Sequence, residues 1–168
     1  MNHESGHEAS LWTFATRVYS QTDVEMLSLE FQEKYNANVN ILLWTVWLQQ
    51  TNIRVSKEVI DDVIATVDAI SHVTVNRLRR LRRDIKSLGT FTKVQAQMIN
   101  KQILNAELAI EKVLLHRLQD MTIRFYEVMP DKVHPLSLRD YLDRLEVDDS
   151  EDRAKRFLAA CKGGAVAH

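Results

Sequence analysis

The sequence predicts an all-α fold, a helical bundle built on a long antiparallel helical hairpin with short helices at both its N- and C-terminal sides. Three observations lead there. Two stretches without glycine or proline, 56–88 and 92–129, are separated by Gly89. Apolar residues in both recur at steps of three and four, the spacing of one helical face rather than the period of two that a strand needs. Only four glycines occur in 168 residues, and two of them are the terminal pair Gly163-Gly164.

In chain order, residues 1–9 are polar and are expected to be disordered. They lack the apolar centre of a signal peptide or anchor, and His3 and His7, with a glycine between them, make no metal site. Ser10 to Tyr19 presents Leu11, Phe14, Ala15 and Val18 on one side of a first helix. Thr22 or Asp23 can cap a second through Leu27, Phe31 and Tyr35, and Asn38 a third. The third contains the most hydrophobic run, Val39 to Leu48. It is about half the ~20 residues needed to cross a bilayer, so a buried core helix is expected and no membrane insertion.

The first long arm carries Ile60, Val63, Val67, Ile70, Thr74, Leu78, Leu81, Ile85 and Leu88 on one seam. The polar Thr74 interrupts an otherwise aliphatic line and leaves room for a kink. The second arm answers with Ile99, Ile103, Ala106, Ile110, Leu114, Leu118 and Phe125 on a line that also includes Val113, Met121 and Val128. Leu104, Leu108, Leu115 and Tyr126 add a second strip that calls for another neighbour. Between the arms, Gly89 suits a positive φ and Thr90 or Thr92 can cap the helix that follows. Pro130 stops the second arm, Ser137 with Asp140 starts a short helix as a capping box, and Asp149 or Ser150 starts the last. Residues 163–168 are expected to be disordered, with Cys161 near that end at the surface. Residues 10–162 then form a single all-α domain, a size that buries a proper core without staples.

The formal net charge of −1 argues against a general polyanion binder. One cysteine cannot form an internal disulfide, and no CxxC pair exists for zinc or redox work, which fits a reducing, cytoplasmic setting. Walker, dinucleotide, HExxH and nucleophile-elbow patterns are absent, so no catalytic residue, metal or cofactor is assigned. His116, with Glu111 and Asp120 nearby, reads as a boundary histidine beside carboxylates, and His72 and His134 have no stronger claim. Asp61 and Asp62 are adjacent on a helix and point apart, which makes them poor joint ligands.

Three segments, Leu11-Trp12-Thr13-Phe14-Ala15, Asn38-Val39-Asn40-Ile41-Leu42-Leu43-Trp44 and Leu78-Arg79-Arg80-Leu81-Arg82-Arg83, together resemble an uncharacterised family of small bacterial helical proteins, a domain of unknown function. The resemblance spans roughly residues 10 to 115. It implies a cytoplasmic bacterial protein and supplies no catalytic residues. In that family an aspartate commonly stands where this chain has Asn38, a change that helix capping tolerates because it needs only an acceptor oxygen.

Two groups of residues are candidates for binding. Trp12, Trp44 and Trp47 read first as core, and second, with Asn40, as the lining of a small-ligand pocket near a helix start that attracts anions. The stronger candidate is the run Arg77, Arg79, Arg80, Arg82, Arg83 and Lys86, six cations against Asp84 alone. With Leu78, Leu81 and Ile85 on the seam, most of these arginines are expected on the exposed face, where Arg79, Arg80, Arg82 and Arg83 would tolerate replacement by glutamate. The competing reading pairs them within the molecule, because residues 140–152 hold seven acidic side chains against Arg144.

The expected function is a non-enzymatic interaction or regulatory module that binds an acidic protein partner through the basic helix face. Nucleic acid through the same arginines, or a small ligand beside the tryptophans, is the alternative. No zinc-finger spacing or interleaved stacking aromatics support nucleic acid. The wide apolar surface of the second arm leaves a homo-oligomer open.

Overall fold

The computed structural model describes residues 10–127 and 134–163. The expectations for residues 1–9 with His3 and His7, for Val128, Met129 and the stop at Pro130, and for residues 164–168 lie outside the described residues. So does the side chain of Tyr126.

The fold is all-α, and among the described residues the only β pairing is an isolated bridge between Ser56 and Pro135. Helices α1 (Leu11–Tyr19), α2 (Thr22–Tyr35) and α3 (Val39–Thr51) come first. A short 3-10 turn, Lys57–Val59, leads into α4 (Ile60–Val73) and α5 (Val75–Ser87). Then follow α6 (Lys93–Glu127), α7 (Leu138–Arg144) and α8 (Ser150–Lys162).

The centre of the molecule is α3. Every residue from Asn40 to Leu48 is buried, so this helix is apolar all round and has to be enclosed rather than laid on a surface. Helices α1, α2, α4, α6 and α7 pack against it. Trp44 is fully buried there, and its indole donates to Thr122 Oγ1 at 2.8 Å, giving the polar end of a large apolar ring a partner. Burial of such a ring is worth about 4–6 kcal/mol as an upper bound. Asn38 starts the helix as expected, its side-chain oxygen accepting from the Asn40 amide at 3.0 Å.

The first long arm is not one helix. It breaks at Thr74, whose φ of −125° and ψ of −91° leave helical space. Val73, Thr74 and Val75 form a β-branched run that crowds a helix, and the Thr74 hydroxyl donates to the Ile70 carbonyl at 2.6 Å, a local bond that bends helices. The break turns the chain from the core-packed α4 onto α5, which packs chiefly against α6. Gly89 takes φ +40° in the connection, and Thr92 Oγ1 accepts from the Gln95 amide at 3.2 Å to cap α6.

At 1.5 Å per residue, the 35 residues of α6 run to about 50 Å. Its second half buries Leu114, Leu115 and Leu118 in the core. Its first half packs mainly on α5, so Leu104 and Leu108 of the second strip stay exposed, as does Val113 a turn further on. The C-terminal helices do not close the far end of the long arms. Instead α7 packs on α3 and α8 on α2, anchored by Tyr141 and Phe157 in the core. The capping box of Ser137 and Asp140 forms as expected. Cys161, expected at the surface, is only 2% exposed, because the last helix faces inward there.

Candidate functional site

The basic run lies on α5 and divides into two sets. Arg79 and Arg82 face α6. Arg79 Nη2 meets Glu111 Oε1 at 2.5 Å, while Arg82 donates to both Glu107 oxygens at 3.0 and 3.1 Å. Glu107 is just 3% exposed, and a carboxylate buried so deeply requires the bidentate guanidinium opposite it. Burial pushes the Glu111 carboxyl up from its ordinary value, and Arg79 beside it only partly offsets that. The expectation that both arginines are free for a partner is therefore corrected. The signal was present in the sequence: arginines three apart on one helix and glutamates four apart on the next fall opposite each other across an antiparallel contact.

Arg77, Arg80, Arg83 and Lys86 make up the second set. All four are exposed, and none forms an ion pair among the described residues. The acidic segment 140–152 does not answer them. Several of its carboxylates have other neighbours: Asp143 and Glu151 pair with Arg139, Glu151 also with Lys155, and Asp140 lies 3.8 Å from the His134 imidazole. Its one cation, Arg144, pairs with Asp61 at 2.8 Å. The free cations present planar and ammonium donors suited to carboxylates or phosphates.

Beside this face opens a polar cleft of about 510 Å³. One wall is the end of α2 and the start of α3, with Glu33, Asn36, Asn38 and Asn40. The other is the α4–α5 junction, with Asp68, His72, Asn76, Arg79, Arg80 and Arg83. Asn36 adopts φ 54°, a left-handed helix end that asparagine tolerates and that turns the chain back toward α3. Asn38 spans the two walls, its amide nitrogen donating to Asp68 Oδ1 at 3.2 Å and Ser71 Oγ at 3.0 Å. Its backbone amide donates to the Tyr141 hydroxyl at 2.9 Å. Burial holds the Asp68 carboxyl above its ordinary value, opposed by the Asn38 hydrogen bond. Because the Thr74 hydroxyl is spent on Ile70, the first turn of α5 has no side-chain cap on this wall.

Asn40 is 8% exposed, and its carboxamide has no hydrogen-bond partner among the described residues. It does not share a pocket with the tryptophans. Trp44 and Trp47 are core, and half-buried Trp12 carries the Lys112 ammonium 5.1 Å from its ring centre. The expected grouping of Trp12, Asn40, Trp44 and Trp47 thus separates, because α3 is enclosed by α1 and α6 on its tryptophan sides, while Asn40, in its first turn, opens toward the arginines. His116 and Asp120 are both exposed and form no pair, and Cys161 is a buried thiol pushed up to about 12 by desolvation. Among the described residues, no three His, Cys, Asp or Glu side chains stand together to hold a metal, and no helix is long and apolar enough to cross a membrane.

A family model described as "Protein of unknown function (DUF2390)" matches residues 10–118, a span that contains all three sequence motifs as well as α5 and both walls of the cleft. No curated protein and no solved structure matches the chain.

Proposed function

For this chain, which belongs to the DUF2390 family of proteins of unknown function, we propose a non-enzymatic role as an interaction or regulatory module that binds an acidic protein partner through α5. The observation that carries the reading is the separation of charges on that helix: Arg79 and Arg82 are held by α6, and Arg77, Arg80, Arg83 and Lys86 are left without ion-pair partners among the described residues. Exposed cations in a row steer and orient an oppositely charged surface more than they add affinity, which suits a reversible, salt-sensitive contact. A cytoplasmic bacterial setting belongs to the same proposal. It is supported by the single cysteine and by the resemblance of the three motifs.

Protein is favoured over nucleic acid because no aromatic side chain is interleaved with the four cations to stack a base. The test is affinity capture from extract of the native host, with and without nuclease treatment, comparing the wild type with R77E/R80E/R83E/K86E. An acid-surfaced protein should be retained by the first and lost by the second, with unchanged circular dichroism. Equal retention by both would contradict the proposal. Capture that vanishes with nuclease treatment, together with steep salt dependence on arbitrary duplex, would replace it with nucleic-acid binding.

A further inference from the structure

We propose that the cleft between the start of α3 and the start of α5 is a binding site for a small hydroxylated organic anion, a phosphate or carboxylate of metabolite size. Arg80, Arg83 and the carboxamide of Asn40 hold it. Asn40 is the observation that points to a ligand. Its side-chain amide belongs to a residue only 8% exposed, lines the cleft and has no partner among the described residues, so its donors and acceptor are left for water or for a ligand that enters the cleft. Asn38 shows what a satisfied amide looks like in the same wall, with its oxygen and nitrogen both engaged.

The free guanidiniums select the charge of the ligand. The cleft is bordered by the first turns of α3 and α5, whose dipoles favour negative charge, and by the last turns of α2 and α4, whose dipoles oppose it, so the helix ends alone do not set the sign. Arg80 and Arg83 line it without ion pairs among the described residues, whereas Arg79, also in the lining, is committed to Glu111. Exposed His72 stands on the same wall. Opposing them are the carboxyl groups of Glu33 and Asp68, of which Asp68 is already engaged by the Asn38 amide. These two carboxyl groups, with the amides of Gln32, Asn36 and Asn76, are acceptors and donors for hydroxyl groups, so a polyol skeleton fits better than an apolar one. The volume of about 510 Å³ lies within the usual range for metabolite sites.

The site shares Arg80 and Arg83 with the partner face and rests on that face being free of intramolecular pairs. The experiment is calorimetric and NMR titration of the full chain with glucose 6-phosphate, gluconate and inorganic phosphate as probes. Saturable binding of at least one organic anion is expected. It should weaken by about tenfold or more in N40A and in R80Q/R83Q, and be abolished in N40D, with folding verified by circular dichroism. Binding of glucose 6-phosphate alone identifies a phosphate source, and gluconate alone a carboxylate source. The double variant R77E/K86E, outside the lining, should lose the protein partner and keep the small anion. No saturable binding at millimolar concentration, binding unaffected by N40A, or inorganic phosphate binding as tightly as both organic anions would overturn the proposal. If the four-glutamate variant still loses the partner in that event, the protein-binding reading survives it.

Discussion

Asn38 carries more of the local structure than its role as a helix cap. It caps α3 with its oxygen, and its nitrogen ties Asp68 and Ser71 of α4 to the cleft wall. The capping was legible in the sequence, because an asparagine before an apolar run needs only local geometry. The bridge to α4 was not, because it depends on how two helices 30 residues apart cross. The same bridge gives Asn38→Asp a clear outcome: capping persists, but two donated hydrogen bonds are lost and a second carboxylate faces Asp68. At neutral pH this is expected to cost about 1–3 kcal/mol in urea unfolding. The sign is fixed by linkage. Asp68 already titrates above 3.8 in the folded state, so that state binds the proton more tightly than the unfolded chain. Its contribution to stability is therefore greatest at low pH and falls as pH rises from 3.8 through the folded value. The second carboxylate should steepen that fall, which melts across the acid range would reveal. Thr122→Val tests the other buried polar contact: the Trp44 indole would lose its acceptor, at a cost of about 1–3 kcal/mol, read from the same unfolding curves. Cys161, buried and with its thiol pushed up to about 12, should resist iodoacetamide in the native protein at mildly alkaline pH and react once unfolded.

At the scale of elements, α5 shows why a run of like charges cannot be read as one face. Residues three apart on a helix differ by about 60° in direction, so arginines in pairs wrap around it. Arg79 and Arg82 border the α6 contact with Leu78 and Ile85, while Leu81, expected on the seam, is 46% exposed. Arg82→Gln should therefore destabilise by about 2–3 kcal/mol, since it strips a buried carboxylate of both hydrogen bonds. Arg80→Gln should stay within about 0.5 kcal/mol of the wild type in the same thermal and urea melts. Replacing Arg79 and Arg82 with glutamate would set like charges against Glu111 and Glu107, so a test of the binding face must spare them. Thr74 was visible as an interruption in the seam, and the structure converts it into a helix break. The deciding feature is the hydroxyl bond to Ile70, which outweighs continuity where three β-branched residues meet.

Across the whole molecule, the all-α class followed from periodicity because the helices carry it locally. The arrangement did not, because it depends on which helix is surrounded. An apolar run without a polar face, Ile41 to Leu48, is the cue that α3 sits at the centre and draws α7 toward it, with α8 packing on α2. The tryptophans are part of that enclosure, and α3 opens at its N-terminus instead, onto the cleft and the free cations of α5. The most direct test of the binding face places a photo-crosslinking residue at Asp84, exposed on α5 among those cations, in the full chain expressed in its native host. An acid-surfaced protein should be captured at low salt and lost both at high salt and in the R77E/R80E/R83E/K86E background. Adducts only to nucleic acid, or a protein captured equally well without the four cations, would contradict the assignment of α5 as the surface that binds an acidic protein.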